Sequence, residues 1–290
     1  MCENANSINW NKLWMNALTS SKSSYGLKSD GDEIGRAKIW NSADSAAKYD
    51  QTARLNNCAS AVEKISKMHI EPDYTVLDIG AGPGTLAIPL AGRVKKVTAI
   101  EPAPGMLECL KDHIGKECIE NIVCINKKWE DVSLDDTEKH DVVIASFSLE
   151  MSDLQYALRK MNDFAKQHVY IFWNIGKSDW VTYYEKIWPK VHNRSYIPGP
   201  GTNYVYNILY EMGIYANIQV GVLSFRPEYS NLDEAVAVFK AFVHAETPEQ
   251  ENALKKCLHG ILVQKKNGAF TLPDNGRYPY ALIWWNKRWS

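Results

Sequence analysis

The sequence predicts an α/β fold: a doubly wound, mostly parallel sheet with a helical cap before it and a helical insertion ahead of the last strand. Three observations carry that prediction. Short β-rich runs alternate with helical segments between residues 75 and 174, a pattern that gives parallel strands covered on both faces. A glycine-rich turn stands directly after the first of those runs. After residue 174 the alternation stops and Tyr and Trp crowd the chain.

The elements follow in order. Trp10, Leu13, Trp14, Ala17 and Leu18 fall on one face of a short helix, and the polar stretch Ser20 to Asp32 reads as a loop. From Ser45 helical spacing returns, with Leu55, Cys58, Ala59, Val62 and Ile65 on one face, and ends near Pro72. The alternating region reads as strands at Thr75 to Ile79, Val97 to Ile100, Ile122 to Asn126, Val142 to Ser146 and Val169 to Trp173. Helices are expected between them at Thr85 to Ala91, Gly105 to Ile114 and Leu154 to Ala165. Beyond the loop Ile197-Pro-Gly-Pro-Gly-Thr202 come a helix to Met212 and a strand from Ile218 to Phe225. Two amphipathic helices follow, marked by Leu232, Ala235, Val236, Phe239 and Val243, and by Leu254, Leu258, Ile261 and Leu262. A terminal strand, Tyr280 to Trp285, is expected beside the one at 218–225. The chain divides into a cap at 1–70, a core at 71–175 and a remainder at 176–290 with an insertion at about 226–277, together forming one compact domain.

Composition narrows the function. With 33 basic and 34 acidic residues the net charge is -1, which provides no footprint for nucleic acid or anionic lipid. No apolar run approaches the length that spans a bilayer, and no signal or lipidation motif is visible, so a cytoplasmic protein is expected. The six cysteines include no C-x-x-C pair, and the histidines have no ligand spacing, so neither a disulfide framework nor a metal is implied.

The chemistry sits in Val76-Leu-Asp-Ile-Gly-Ala-Gly-Pro-Gly-Thr85, a strand running into a glycine turn. Glycines let the backbone approach a ligand where a Cβ would clash, and a helix start offers unpaired N–H groups. Thr85 replaces the third glycine of a dinucleotide turn, Pro83 has no N–H for a pyrophosphate, and Asp78 adds negative charge. A cationic cofactor without phosphate suits this turn better. Glu101, at the end of the next strand, is placed to accept both hydroxyls of a ribose. After the third strand Trp129 and Glu130 are candidates for flanking and reading an adenine, and Ser146, Phe147 and Ser148 stand at the crevice mouth.

Over about residues 38–175 the sequence resembles the class I S-adenosylmethionine-dependent methyltransferases, in particular the small-molecule group that includes quinone-ring enzymes. The resemblance implies a seven-stranded Rossmann-like methyltransferase sheet and S-adenosylmethionine as cofactor. It implies a methionine-cradling loop at Asp78, Gly80, Ala81, Gly82 and Gly84, a ribose acid at Glu101, and an adenine-flanking pair at Trp129 and Glu130. Pro102, Met106 and Ser146 complete the expected cofactor set. Ile39-Trp40 and Ala46-Ala47-Lys48-Tyr49-Asp50 look like the family's N-terminal run, in which a Tyr, here Tyr49, helps close the site. Lys127-Lys128 departs from the Gly-Asp that often precedes the adenine-flanking pair.

The aromatic cluster of Trp173, Trp180, Tyr183, Tyr184, Trp188, Tyr196, Tyr204 and Tyr206 offers ring faces for an acceptor or an ordinary core. Trp10 and Trp14 suit either a lid or a packed stripe. His192, Tyr183, Tyr184 and Glu150 are the candidate catalytic residues should the acceptor need a base. The expected activity is methyl transfer by in-line displacement to a small aromatic or amphipathic metabolite, with a homodimer compatible. A protein side chain as acceptor, a cofactor-binding module without catalysis, and an NAD-linked oxidoreductase are the rival readings.

Overall fold

A computed structural model describes residues 8–24, 43–54 and 59–287 of the chain. Ile39, Trp40, Leu55, Cys58 and residues 25–32 of the expected loop lie outside the described residues.

Three helices precede the sheet: α1 (Trp10–Ser24), α2 (Ala43–Arg54) and α3 (Ala59–Ser66). The alternating region then gives β1 (Thr75–Ile79), α4 (Ala87–Ala91), β2 (Lys96–Ile100), α5 (Pro104–Lys116), β3 (Ile122–Ile125), a 3-10 turn at Trp129–Asp131, β4 (His140–Ser146), α6 (Leu154–Phe164) and β5 (Ala165–Asn174). The C-terminal part supplies α7 (Asp179–His192), α8 (Thr202–Glu211), β6 (Asn217–Ser224), β7 (Glu228–Tyr229), α9 (Leu232–Val243), α10 (Pro248–Ile261), β8 (Val263–Gln264), β9 (Phe270–Thr271) and β10 (Arg277–Asn286).

Seven strands form one sheet in the order β3-β2-β1-β4-β5-β10-β6. The first five are mutually parallel, and β10 runs antiparallel to both β5 and β6. The order reverses direction at β1, and the carboxyl ends of β1 and β4 meet there, with Ile79 opposite Ala145. An open α/β sheet binds its ligand at such a switch point.

Alternation along the strands divides the interior. Leu77, Ile79, Val143 and Ala145 face α1, α6 and α8. Val76 and Ile144 face α3, α4 and α5. A third core joins α7, α9 and α10 with the small sheet β7-β9-β8, which the sequence reading did not anticipate.

Several expectations shift. Helix α1 continues through Ser20–Ser24, which read as loop. Residues 82–86 turn instead of starting a helix, so α4 is a short segment beginning at Ala87. The buried stripe of α3 is Ala61, Lys64, Ile65 and then Met68, whereas Val62 is exposed. Coverage of both faces fails at the edge strand β6, where Ile218, Val220 and Val222 are exposed. Trp14 is fully buried against Trp173 and Tyr204, its indole N–H donating to Met151 O at 2.9 Å, so α1 is a packed stripe and not a lid.

Candidate cofactor site at the strand ends

The glycine turn leaves β1 through backbone bonds to the neighbouring strand: the N–H groups of Gly80 and Ala81 both donate to Ile100 O, at 2.8 and 3.0 Å. Gly80 has φ +70°, and a Cβ there would fall 2.4 Å from Ser148 Cβ, so only glycine lets the β4 loop close on the turn. Gly82, at φ +57°, has nothing within 4 Å of where a Cβ would project. That open space on the turn is a cradle a side chain would fill.

Glu101 closes the second strand end. Its carboxylate accepts from Gly82 N–H and Ala103 N–H, both at 2.8 Å, fixing the turn against β2. Burial pushes its pKa up, and these two hydrogen bonds pull against that shift. Asn126, at the end of β3, donates to Glu101 O at 2.8 Å and Pro102 O at 3.1 Å. Helix α2 docks beside them. Ala46 is buried against Ala103 and Met106, and Asp50 bonds His113 Nε2 at 2.7 Å and Arg54 Nε at 2.8 Å. Tyr49 on this helix is 36% exposed as a residue. Its phenol pKa is nonetheless raised, by burial first and then by the charges of Glu101 and Asp50.

Asp78 is the least satisfied group in the crevice. It is 2% exposed, and its Oδ2 has no hydrogen-bond partner. Burial, then the charge of Glu101, push its pKa up to about 7, against a smaller pull from Lys64. Lys64 reaches the same end of the sheet from α3. Its Nζ donates to Ser146 Oγ at 3.1 Å and lies 4.7 Å from the centre of the Phe147 ring. Burial lowers its pKa to about 8, with Asp78 and Glu63 opposing.

Beyond β4 the crevice has an aromatic wall. Phe147 sits at φ +55°, a left-handed conformation a bulky side chain rarely adopts, held by its N–H on Phe172 O at 2.9 Å. Its ring meets Tyr278 edge to face at 5.5 Å, and the Tyr278 hydroxyl donates to Asn174 Oδ1. Ser148 Oγ donates to Ile79 O at 2.6 Å, tying this wall to β1.

The set fits a cationic adenosine cofactor. Two buried carboxylates, an orphaned oxygen and an open glycine cradle suit ribose hydroxyls and positive charge, and a pyrophosphate would meet like charge and Pro83.

Comparison with known proteins agrees. Residues 76–168 match a family described as methyltransferase domain. A Haemophilus influenzae protein named only as uncharacterized is 31% identical over 226 residues, 77% of this chain and 80% of its own length. The chain belongs to the class I S-adenosylmethionine-dependent methyltransferase superfamily. A probable ribosomal RNA small subunit methyltransferase A from Methanosphaera stadtmanae is 37% identical over 97 residues, 31% of this chain and 35% of that one. Among solved structures, YcgJ of Bacillus subtilis superposes with a TM-score of 0.54 at 14% identity, covering 78% of this chain and 97% of that one. A putative methyltransferase from Bacillus halodurans gives 0.52 at 13% identity, covering 79% and 99%. Both share the fold.

The methyltransferase draws Asp78, Gly80, Ala81, Gly82, Gly84, Glu101, Pro102, Met106, Tyr49 and Ser146 to the ends of β1, β2 and β4 and the helix beside them. Trp129 differs from expectation. It is buried on the Phe164 ring, donates its indole N–H to Ala157 O at 3.2 Å, and has the Lys160 ammonium over its ring. It therefore anchors the 3-10 turn in the core, while Glu130 stays exposed beside it.

The catalytic candidates separate as well. The rings of Tyr183 and His192 are built into the core of α7, α9 and α10. The Tyr183 hydroxyl donates to Asp274, and His192 uses Nε2 on Val243 O at 2.7 Å and Nδ1 on Gln250 at 3.3 Å. Both serve packing of the insertion. Tyr184 packs between Trp180 and Tyr196. Of the four, Glu150 alone stands on the loop after β4, its N–H on Ser148 O at 3.0 Å. The aromatic cluster divides likewise: Trp180, Tyr183, Tyr184, Trp188 and Tyr196 pack against the insertion, and Trp173, Tyr204 and Tyr206 pack around α1 and α8.

Lys64, Asn174 and Tyr278 were missed. For Lys64 the signal was present, since it falls at i+3 from Ala61 and one residue before Ile65, a lysine on the apolar stripe. Asn174 and Tyr278 meet only because β10 runs antiparallel to β5, which no local pattern specifies. No helix among the described residues is long and apolar enough to cross a membrane, and no group of three or more His, Cys, Asp or Glu among them could hold a metal ion.

Proposed function

We propose that this enzyme methylates a small aromatic or amphipathic metabolite by in-line displacement. The observation that carries the reading is the Phe147–Tyr278 wall, which stands beside the cofactor residues at the ends of β4 and β10. Apolar rings with a few placed polar groups are what a small-ligand pocket presents, and here Asn174 and Tyr278 are the polar pair.

S-adenosylmethionine supplies a methyl group already made electrophilic by its sulfonium. The chain has to orient, hold charge and exclude water. Glu101 and the glycine turn hold the ribose side, Asp78 faces the positive end, and the aromatic wall holds a flat acceptor in line. Glu150 is the candidate to take a proton from a hydroxyl acceptor, and an amine acceptor needs only its neutral form.

The test is methyl transfer from labelled donor to a panel of small phenols, catechols and aromatic amines, with total RNA and denatured protein alongside. Transfer to a ring compound, with Tyr278→Ala raising its KM at least fivefold, supports the reading. Label confined to RNA or protein overturns it.

A further inference from the structure

Around α7 and the insertion, lysines come matched to carboxylates. Lys177 pairs with Glu185, Lys240 with Glu251, Lys255 with Asp233 and Lys265 with Glu228. Lys186, Lys190 and Lys256 depart from that pattern, for none of them forms an ion pair with a carboxylate among the described residues. All three line one hollow of about 350 Å³ between α7 and α10, with Cys257, Gly260 and Ile261 completing its walls.

Helix geometry brings these side chains together. α7 ends where α10 begins, with Gln250 Nε2 donating to His192 Nδ1 at 3.3 Å. Six residues back from His192 along α7 stands Lys186, and six residues on from Gln250 along α10 stands Lys256. Lys186 and Lys190 lie one helical turn apart on α7, as do Lys256 and Gly260 on α10. Apart from the helix backbone itself, nothing lies within 4 Å of where a Cβ on Gly260 would project, so that wall stays open. Cys257 is 7% exposed beneath them, and the Lys190 charge offsets part of the rise that burial imposes on its thiol pKa.

Like charges four residues apart on a helix repel, and a concave surface walled by one sign concentrates its field. The helix dipole accounts for a cation in the last turn, which here is Lys190 and neither Lys186 nor Lys256. The Lys186 ammonium stands over the Tyr183 ring at 6.0 Å, a contact that leaves its N–H donors for another partner. Three ammoniums around one hollow call for several negative charges on one compact group. Phosphate oxygens meet that need, and lysine binds them as a point charge. A volume roughly ten times the share of one water in the liquid has room for a chain of phosphates. A nucleic acid needs a basic stripe across the surface, and the neighbouring Lys177 and Lys255 are already neutralised. We propose that the hollow between α7 and α10 binds a di- or triphosphate group, inorganic or carried by a small organic molecule, through Lys186, Lys190 and Lys256. It shares no residue with the crevice, and the inference holds whatever the cofactor. α7 follows β5, which ends in Asn174, so a ligand held there ties the insertion to the strand that carries one residue of the aromatic wall.

Calorimetric titration of the full-length protein, free of divalent metal and with S-adenosylhomocysteine present throughout, tests this with inorganic tripolyphosphate, cytidine triphosphate and a short single-stranded RNA. At least one of the two phosphates is expected to bind one to one. Tighter binding of the nucleotide supports an organic phosphate as the source, and equal or tighter binding of tripolyphosphate supports the inorganic chain. Lys256→Gln is expected to weaken the better phosphate at least fivefold, and Lys256→Arg to keep most of the affinity. Lys255→Gln removes the same charge one residue away, from a lysine already paired with Asp233, and should change affinity less than twofold. Wild type that binds neither phosphate overturns the assignment, a result that does not depend on any variant folding. Equal losses in Lys255→Gln and Lys256→Gln overturn it as well, since general surface charge would then explain the binding. So does RNA bound more tightly than both phosphates.

Discussion

The strand-end crevice and the helical insertion treat their polar groups in opposite ways. In the insertion and in α7, which packs on it, the helices close their own ends. Ser178 caps α7, Asn231 caps α9, and Thr247 and Gln250 form a reciprocal capping box on α10. Lys240 and Glu251 pair across α9 and α10, and of the buried side-chain oxygens there only the Tyr229 hydroxyl is left over among the described residues. In the crevice Asp78 and Lys64 are buried and apart, with pKa values displaced to about 7 and about 8. One region closes on its own capping groups, and the other keeps a buried carboxylate oxygen without a partner at the glycine motif, the arrangement that a ligand carrying positive charge would complete.

The largest effect expected from this contrast is at Asp78. Asp78→Asn keeps the shape and removes the anion, so affinity for S-adenosylhomocysteine should fall about a hundredfold, roughly 2.7 kcal/mol. The ligand-free variant should melt higher than wild type. The sign follows from the raised pKa: the folded state resists ionisation of Asp78 next to Glu101, only partly relieved by Lys64, so its penalty grows as pH rises from 3.8 towards about 7. The gain in melting temperature should accordingly be larger at pH 8 than at pH 5. A variant that loses both affinity and stability would make Asp78 a structural residue and break the contrast.

His140 extends the comparison to a buried group outside both regions. It is fully buried, bonded to Thr98 Oγ1 at 2.8 Å, and burial lowers its pKa to about 4. The unfolded chain, with an ordinary histidine near 6.5, binds the proton more readily, so stability from this group is present above that value and is lost as pH falls towards 4. Between pH 8 and pH 5 this amounts to about 2 kcal/mol. Denaturant melts should show His140→Gln losing correspondingly less than wild type over that interval, and an unchanged loss would mean that His140 is not the source of the acid sensitivity, which the crevice carboxylates, with raised pKa values, oppose.

At the turn itself, Gly82→Val and Glu101→Ala should each weaken S-adenosylhomocysteine binding at least tenfold, about 1.4 kcal/mol. The causes differ. Gly82 holds φ +57° over open space, so valine adds backbone strain and fills the cradle, whereas Glu101→Ala releases the N–H groups of Gly82 and Ala103. Unchanged affinity in either folded variant would move the cofactor off this turn.

What the sequence disclosed follows from how local each feature is. The β1 turn and Glu101 were legible because a strand, a glycine run and the next strand end fix them within 26 residues, Val76 to Glu101. The parallel run of the first five strands was legible from alternation, and the pairing of β10 with β6 from the expectation of a terminal strand beside 218–225, whereas the antiparallel direction of β10 has no local signal. Trp129 was misplaced because a tryptophan in a turn can point to either side, and here Ala157 O and Lys160 draw it inward. His192 and Tyr183 read as catalytic because a titratable group in an aromatic-rich run looks the same whether it faces a crevice or Val243 O and Asp274. Lys64 went unread because the stripe of α3 was taken through Val62 and not through Ala61, a shift of one residue that turns the helix by about 100°.

The smallest effect is the sharpest control on the contrast. Thr247 accepts from Gln250 N–H at 3.3 Å, and Gln250 Oε1 accepts from Thr247 N–H at 3.1 Å, so Thr247→Ala breaks half of the box that starts α10. The expected cost is about 1 kcal/mol of stability. Because α10 packs on α7 and α9 and not on β1 or β4, S-adenosylhomocysteine affinity measured on the folded variant should be unchanged. A loss of affinity beyond twofold would mean that the insertion transmits its own order to the crevice, and the two regions would then have to be treated as one cooperative unit, with the orphaned carboxylate of β1 held in place from α10.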